Sequence, residues 1–370
     1  MSAATIVVAG ALANKAGSGG EAWVRMSWLT GFQRVGFDVR FVEQLSGGSQ
    51  EQIHYFRDVV AEFGVTDVST LIADGRTVLG PPVESLFDIA SSSPLVNISG
   101  HLDGPLRDAF RTRIYIDIDP GFTQIWHEQG LLGDALERHT EHLTIGENIG
   151  TKYCDLPTGG FRWRPTRQPV VLDQWPVTPT PESARFTTVA NWRGPYGPVE
   201  WQGHSYGLKV HEFRKFIELP RHAPGTFEVA LSIDPSDEKD RLALIENGWK
   251  LTDPVEASST PTAFREYVMN SGAEFSVAQG MYVDSNCGWF SDRSVRYLAA
   301  GKPVIVQDTG FGTCLPVGEG LLPFSSVAGV ASAIRALESD YEHHALAARS
   351  LAQSHFDAIS LTRAVIDTGN

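Results

Sequence analysis

The sequence predicts an α/β protein of two doubly wound, Rossmann-like domains that face each other across a cleft. Short apolar runs, which are typical of buried strands, alternate with stretches of helical periodicity along most of the 370 residues. The alternation stops at a proline-rich stretch near the middle of the chain and then begins again. A chain of this length is also long for one hydrophobic core and typical of two.

The first half shows how these elements are assigned. The run TIVVAG (5–10) predicts the first strand, and DVRFVEQL (38–45) predicts the second. Between them Ala22, Met26, Leu29 and Phe32 recur at helical spacing, so we expect a helix with one buried stripe that ends at Gly36. Further apolar runs follow at STLIAD, PLVNIS, RIYIDID and HLTIGEN. Because these runs are continuous rather than alternating, they indicate a parallel sheet covered on both faces.

The second half repeats the pattern after the proline-rich stretch. RFTTVANW, TFEVALSI, AEFSVAQ and KPVIVQD are expected to be strands, with helices between them and a mainly helical tail. We therefore predict an N-terminal domain over residues 1–160, a linker over 161–184 and a C-terminal domain over 185–352. The last segment, 353–370, is expected to form a helix that packs back on the first domain.

The charge balance narrows the classes of partner. The chain carries 30 basic and 44 acidic residues, a net charge of −14, which argues against nucleic acid and against an anionic membrane surface. Three dispersed cysteines form no metal-binding or disulfide pattern and favour a reducing compartment. With no basic, apolar leader and no run long enough to span a bilayer, we expect a cytoplasmic protein without a transmembrane segment.

One helix start in the second half has the features of an anion site. In GWFSDRSVRYLAAGKPVIVQDTG (288–310), Ser291 is a good N-cap, and Asp292, Arg293 and Ser294 follow it. The start of a helix offers unbonded N–H groups and the positive end of the helix dipole, and Arg293 could add a fork of donors. The alternative is that Ser291 only caps the helix and Asp292 only complements the dipole.

Two further cations fall at the same predicted edge of the sheet. Arg193 directly follows the first strand of the second domain, and Lys209 opens the next helix. Together with the helix start at Ser291, they favour a diphosphate ligand, although both could instead be solvated surface charges.

These motifs resemble the C-terminal domain of the GT-B-fold glycosyltransferases. The similar stretches are GWFSDRS, YLAAGKPVIVQDTGF, LPVGEGLLPF and DYEHHALAARSLAQSHFD, within residues 260–357. The resemblance implies a nucleotide-sugar donor held by the second domain and an acceptor held by the first. By resemblance Arg193, Lys209 and the turn Ser291–Ser294 match the diphosphate site, and Asp308, Thr309 and Gly310 match a loop near the donor sugar.

The chain departs from the family at one motif. Many retaining GT-B enzymes carry two glutamates eight positions apart, and here those positions are Gly288 and Arg296. We therefore expect an inverting, metal-independent glycosyltransferase without a cofactor, which moves a sugar from a nucleotide diphosphate to a hydroxyl of a small molecule or glycan. The alternatives are a nucleotide-sugar 2-epimerase of the same fold and a non-catalytic nucleotide-sugar-binding subunit.

An inverting transferase needs a base for the acceptor hydroxyl. His101 and Asp119 each follow a predicted strand of the first domain and are the candidates, Asp119 being favoured over Asp117 because it lies at the strand tip. The glycine-rich turn Gly17, Ser18, Gly19 and Gly20 would let the backbone approach a substrate at the cleft, or could be a flexible connection.

No metal site is expected. Asp117 and Asp119 mimic an Asp-x-Asp motif only by their spacing. His139, Glu141 and His142 lack a further ligand and are expected on a solvated face. The pair His343 and His344 is interpreted in the same way.

Overall fold

The computed structural model describes residues 3–179, 185–194 and 196–367. The chain divides into two compact units: the first comprises Met1–Gly146, Pro157–Val171 and Asp357–Asn370, and the second comprises Glu147–Leu156 and Leu172–Phe356. This division is more interleaved than the predicted domains, and part of the predicted linker, 180–184, lies outside the described residues.

The secondary structure alternates as the sequence predicts. The strands are β1 Thr5–Ala9, β2 Asp38–Leu45, β3 Ser69–Ala73, β4 Arg76–Leu79, β5 Leu95–Ile98, β6 Arg113–Asp117, β7 Glu141–Thr144, β8 Trp163–Pro165, β9 Arg185–Asn191, β10 Val199–Trp201, β11 His204–Tyr206, β12 Thr226–Ser232, β13 Lys250–Thr252, β14 Ala273–Ser276, β15 Val304–Gln307 and β16 Leu321–Phe324. The helices are α1 Gly19–Val35, α2 Gln50–Glu62, α3 Glu84–Ala90, α4 Gly104–Ala109, α5 Phe122–Glu128, α6 Lys209–Arg214, α7 Leu219–His222, α8 Glu238–Glu246, α9 Pro254–Ser258, α10 Pro261–Met269, α11 Gly280–Ser285, α12 Asp292–Ala299, α13 Val327–Ser339, α14 Tyr341–His355 and α15 Ala358–Asp367.

The first unit is built on an eight-stranded sheet in the order β4-β3-β2-β1-β5-β6-β7-β8. All neighbouring strands are parallel except β3 and β4, which form an antiparallel edge. The order reverses between β1 and β5, which is the switch point where Rossmann-like sheets bind ligands. Side chains of β1 and β5 are almost all buried, as expected for strands covered on both faces.

The second unit has a six-stranded sheet in the order β13-β12-β9-β14-β15-β16, with every pair parallel. In order of appearance this is the 3-2-1-4-5-6 arrangement of a Rossmann fold, and its switch point lies between β9 and β14. A separate two-stranded hairpin, β10–β11, interrupts the connection from β9 to α6. No helix within the described residues combines the length and apolar character that crossing a bilayer requires.

Helix α1 is more deeply buried than its sequence predicts. The expected stripe of Ala22, Met26, Leu29 and Phe32 is buried, but so are the side chains on most of its other faces. The reason is α15, which packs along α1. A Cβ atom on Gly31 would lie 2.6 Å from Thr362 Cγ2, so glycine is what permits this close approach.

The long aromatic loop after β9 is partly core and partly hairpin. Trp192 is buried, packs against Phe213 and donates its indole N–H to Asp240 over 2.9 Å. The hairpin β10–β11 turns through Gln202 and Gly203, both with positive φ. The loop therefore forms a two-stranded hairpin of its own within the connection between β9 and α6.

Candidate functional site

The switch point of the second sheet opens because β9 and β14 pair over only two positions, Ala273 with Phe186 and Glu274 with Thr187. Beyond Glu274 no further pairing joins the two strands in the described residues. The connections that follow β9, β14 and the neighbouring strand β15 carry the candidate residues of the second unit. The site is therefore built where open α/β sheets usually bind ligands.

The side chain of Arg293 connects the two strands across this gap. Its Nε donates to Glu274 Oε1 over 2.6 Å, its Nη1 donates to the carbonyl of Val189 over 2.9 Å, and its Nη2 donates to the hydroxyl of Ser276. All three guanidinium nitrogens thus bond to β9 or β14. The guanidinium donors that we expected to bind a phosphate are instead bonded within the protein, where they connect the start of α12 to both strands.

The start of α12 has the predicted cap. The hydroxyl of Ser291 accepts from the backbone N–H of Arg293 over 3.3 Å, and Asp292 is the first helical residue. Ser294, one turn in, is buried and its hydroxyl oxygen has no hydrogen-bond partner. Ser291 and Ser294 line a small pocket together with aromatic side chains, among them Trp289.

Arg193 lies in the loop after β9, as expected, and forms a bidentate ion pair. Its Nε and Nη2 donate to the two carboxylate oxygens of Asp237 over 2.7 and 2.5 Å. The Arg193 side chain is 52% exposed, whereas that of Asp237 is only 5% exposed. Arg193 is therefore a surface cation held in one orientation by a buried carboxylate.

Lys209 differs from both arginines. It is the first residue of α6, it is half-buried, and its ammonium makes no hydrogen bond or ion pair with any described residue. Burial lowers the pKa of Lys209 to about 7, and the positive charge of Arg293 acts in the same direction. The carboxylates of Glu274 and Asp292 oppose this shift without cancelling it. The side-chain nitrogen of Lys209 is therefore available to pair with an anion that reaches this edge of the sheet.

The loop after β15 is tied to the loop before α12. Thr309 is buried, its hydroxyl donates to the carbonyl of Trp289, and its own carbonyl accepts from Gly288 N over 2.8 Å. Asp308 is exposed and accepts from Gly310 N over 2.9 Å, and Gly310 has a φ of 87°. Asp308 is thus the member of this trio whose side chain reaches solvent.

His101 follows β5 at the switch point of the first sheet. Its imidazole makes no hydrogen bond or ion pair with any described residue. Burial, aided by the charges of Arg25 and Lys15, lowers the pKa of His101 to about 4, although the carboxylate of Glu21 opposes this shift. His101 is therefore neutral at ordinary pH.

The cation beside His101 was not foreseen from the sequence. Arg25, on α1, is 1% exposed and donates through Nη1 to the carboxylate and the carbonyl of Glu21. Its aliphatic part passes so close to Gly10 that a Cβ there would lie 2.9 Å from Arg25 Cγ. The glycine at the end of β1 is thus required by the arginine.

Asp119 lies at the tip beyond β6, as expected, and Asp117 has a structural role. The carboxylate of Asp117 accepts from Thr123 Oγ1, Gln124 Nε2 and Thr144 Oγ1 over 2.7 to 2.8 Å, and from Asp119 N over 3.0 Å. Burial raises the pKa of Asp117 despite these donors. Asp117 therefore organises the turn that presents Asp119, which is half-buried.

The glycine-rich turn leads directly into α1. Gly17 has a φ of 77°, Ser18 precedes the helix without a side-chain cap, and Gly19 and Gly20 are its first residues. Just upstream, the backbone N–H groups of residues 12–14 are occupied by the carboxylate of Glu43, at 2.7 to 2.8 Å. The anion that these N–H groups bind is thus the side chain of Glu43, not a ligand.

The expectation of a solvated face for His139 and His142 is wrong. Both side chains are buried: His139 contacts Asn97 Nδ2 and the carbonyl of Ala135, and His142 contacts the carbonyl of Leu136. Tertiary packing of an aromatic cluster around Tyr115 overrides their polar character. His344 is likewise buried, whereas His343 is exposed beside Glu319 at 3.3 Å. Among the described residues, no group of three His, Cys, Asp or Glu side chains could hold a metal ion.

Two of the residues that the sequence reasoning missed had a visible signal. Glu43 and Glu274 are charged residues inside apolar strands, and a carboxylate in such a strand is almost never buried unless it has partners. Arg25 had a weaker signal, a cation in the middle of the largely apolar stretch AWVRMSWL of α1.

Comparison with known proteins supplies the fold family. No family model and no curated protein sequence matches the chain. Solved structures match it over almost its full length. An alpha-glucosyltransferase in complex with UDP has a TM-score of 0.60 at 10% identity, with 98% of each chain covered. Another alpha-glucosyltransferase structure, with UDP and a 13-mer DNA, has a TM-score of 0.58 at 9% identity, covering 100% of this chain and 99% of that one. Anabaena HepE with UDP and glucose has a TM-score of 0.59 at 12% identity, with 99% of each chain covered. These likenesses confirm the expected fold class.

Proposed function

We propose that this chain, whose fold is that of the GT-B glycosyltransferases, transfers a sugar from a nucleoside diphosphate donor to a hydroxyl group of a small molecule or glycan. The observation that carries the proposal is Lys209, a half-buried lysine at the switch point of the second sheet whose side-chain nitrogen has no partner among the described residues. A diphosphate supplies the charge that this position lacks. UDP is the first nucleotide to test, because UDP is bound in the similar glycosyltransferase structures.

Each element of the second unit would hold one part of the donor. Lys209 and the start of α12 at Ser291 would stabilise the charge that develops on the departing diphosphate. Arg193, oriented by Asp237, would add donors from the loop after β9. Asp308, whose carboxylate reaches solvent, would meet sugar hydroxyls. These roles need neither a metal nor a cofactor, and metal independence is part of the proposal.

The acceptor would be activated in the first unit. His101 is the favoured base, because its imidazole is neutral and its nitrogens are bonded to no described residue. Asp119 is the second candidate. We expect inversion at the anomeric carbon, since a base in this position activates the acceptor for direct attack; proton NMR of the first product formed will show its anomeric configuration. The net charge of −14 disfavours a nucleic-acid acceptor, which belongs in the acceptor panel as a negative control.

The donor site is tested by calorimetric titration with UDP, dTDP, GDP and ADP. Lys209→Met should weaken binding of the preferred nucleotide by about 10- to 100-fold, the worth of one charge-assisted hydrogen bond. Lys215→Met is the matched control, since Lys215 lies just beyond the same helix, is 58% exposed and pairs with Glu212. If the parent and Lys209→Met bind the nucleotide with equal affinity, the diphosphate does not bind at Lys209.

Catalysis is tested separately from binding. Incubation with the donor alone should leave it unchanged, and addition of an acceptor panel should release free nucleotide diphosphate. Conversion of the donor sugar without an acceptor would identify an epimerase. Tight binding without turnover on any acceptor would identify a binding subunit.

A further inference from the structure

We propose that Asn148 determines which donor sugar the second unit accepts, because it fixes the orientation of the Asp308 carboxylate through the intervening residue Gly310. This inference rests on the donor site proposed above, in which Asp308 meets the hydroxyls of the sugar. Asn148 is a positioning residue in this scheme, since it acts through Asp308 and does not itself contact the ligand.

The side chain of Asn148 holds two other loops of the second unit. Asn148 lies in the segment Glu147–Leu156 of that unit and is 1% exposed. Its Nδ2 donates to the carbonyl of Asn286 over 2.8 Å and to the carbonyl of Gly310 over 3.1 Å. Its Oδ1 accepts from the hydroxyl of Thr313 over 2.7 Å. The two carbonyl acceptors define which atom of the amide is the nitrogen.

The backbone of Asn148 is bonded as well. Its N–H donates to the carbonyl of Cys287 over 3.0 Å, and its carbonyl accepts from the N–H of Thr151 over 3.0 Å. Every polar atom of this buried residue therefore has a partner within the second unit. Asn148 thus joins three segments, namely its own, the loop before α12 and the loop after β15, and has no donor left for a ligand.

Two glycines leave room for Asn148. A Cβ atom on Gly288 would lie 3.0 Å from Asn148 N and 3.1 Å from Asn148 Cγ, and a Cβ atom on Gly310 would lie 2.8 Å from Asn148 Nδ2. Both glycines also have a positive φ, of 80° and 87°. The space into which a side chain at position 288 would extend is therefore occupied by Asn148.

Gly310 connects Asn148 to Asp308. The carbonyl of Gly310 accepts from Asn148, and its N–H donates to Asp308 Oδ1 over 2.9 Å. The N–H of Asp308 donates to the carbonyl of Phe324 over 2.9 Å, which holds the backbone of Asp308 beside β16. The orientation of the carboxylate is thus set by the peptide unit that Asn148 holds from its other end.

The second carboxylate oxygen of Asp308 is available to a ligand. Asp308 is exposed, and its Oδ2 bonds no described residue. A hydrogen bond from a sugar hydroxyl to a carboxylate is charge-assisted and directional. Glucose, galactose and mannose differ only in the direction of one hydroxyl, so a carboxylate of fixed orientation discriminates among them.

The test uses the nucleotide that binds best among the four titrated above, and the same nucleotide carrying glucose, galactose, mannose or N-acetylglucosamine. Calorimetric titration gives the sugar preference, which is the ratio of the highest to the lowest affinity among the four sugars. The parent should show a preference of about tenfold or more, the worth of one hydrogen bond to a charged group. Asn148→Ala should remove most of this preference and should change the affinity for the free nucleotide by less than about twofold, because the two sites are separate.

A double variant separates positioning from a merely structural role. Asp308→Ala should remove the preference to a similar extent. The double variant Asn148→Ala with Asp308→Ala should then be no worse than Asp308→Ala alone, because two residues that act through one contact are not additive. A general structural defect at Asn148 would instead add its own loss to that of Asp308→Ala.

Thr313 offers a second, milder perturbation. Thr313→Val removes the hydroxyl that bonds Asn148 Oδ1 and should lower the sugar preference, whereas Thr313→Ser keeps the hydroxyl and should retain the preference of the parent. Circular dichroism and thermal melts establish that each variant is folded. If Asn148→Ala does not fold, the comparison of Thr313→Val with Thr313→Ser decides the question, since both keep Asn148 in place.

The outcomes are distinguishable. A parent that binds the four sugars equally, a preference that persists in Asn148→Ala and Thr313→Val, or losses that add in the double variant overturn the inference and leave the donor site in place. Failure of all four nucleotides to bind overturns the donor site and the inference with it.

Discussion

The protonation of His101 is the most direct test of how the first unit prepares its site. An ordinary histidine has a pKa near 6.5, whereas burial and the charges of Arg25 and Lys15 lower that of His101 to about 4. At pH 5.5 an ordinary histidine is about 90% protonated, but His101 should be about 3% protonated. The imidazole should therefore remain a hydrogen-bond acceptor well into the acid range.

The assay is a titration between pH 4 and 8 by NMR of protein with 13C-labelled histidine, in which His101→Gln identifies the signal among the eleven histidines. Lys15→Met should raise the midpoint, because a neighbouring cation is removed. Glu21→Gln should lower it, because Glu21 is the group that favours the imidazolium. If His101 is the base, transfer activity should persist at pH 5.5.

A midpoint near 6.5 in the parent protein would refute the reasoning. It would mean that His101 is solvated and that the charges of Arg25 and Lys15 do not reach it. Loss of activity with a midpoint near 6.5 would point to an ordinary, exposed histidine in the reaction.

Three further predictions follow from the geometry. Burial lowers the pKa of His139 to about 4, so between pH 6.5 and 4 the unfolded chain takes up a proton at this residue and the folded chain does not. The free energy of unfolding should therefore be full above pH 6.5 and lower by about 2 kcal/mol at pH 5. Urea unfolding should not show this loss in His139→Gln. Asp119→Asn should leave the affinity for UDP unchanged, as measured by titration. Product assays should show loss of transfer in this variant only if Asp119, rather than His101, is the base. Gly31→Ala should lower the melting temperature, since its Cβ would collide with Thr362, whereas Gly329→Ala, which meets only ordinary contacts in α13, should leave it unchanged or raise it.

The sequence was sufficient for the elements whose burial is continuous. The bounds predicted for β2 agree with those observed, because an apolar run between polar turns has few other ways to be buried. The short edge strands β4 and β16 escaped prediction, since four residues carry too little periodicity. The helix expected to open at Lys209 ends already at Arg214, where bonds between residues three apart, such as Phe216 N to Phe213 O, tighten the turns that follow.

The sequence was sufficient to predict where the candidate residues lie in the fold but not which partners their side chains bond. Strand ends and helix starts placed Arg193, Lys209 and Arg293 at one edge of the sheet. Which of them is bonded inside the protein depends on contacts across 19 to 104 residues, such as Arg293 with Glu274 and with Val189, and no local pattern encodes these. Only the structure shows that Lys209 has no partner among the described residues, whereas Arg193 and Arg293 are bonded to carboxylates.

The packing of α15 against α1 has a consequence for how the protein is made. Residues 357–370 belong to the first unit, so that unit is completed by a segment that is synthesised after the second unit. Until Thr362 reaches Gly31, the apolar surface of α1 that α15 covers is exposed on the nascent chain. The usual order of synthesis, in which an N-terminal domain folds before the next one appears, is therefore closed to this protein. The first unit can be completed only after the second has been translated, and a chain that stalls between α14 and α15 should be a substrate for chaperones or proteases.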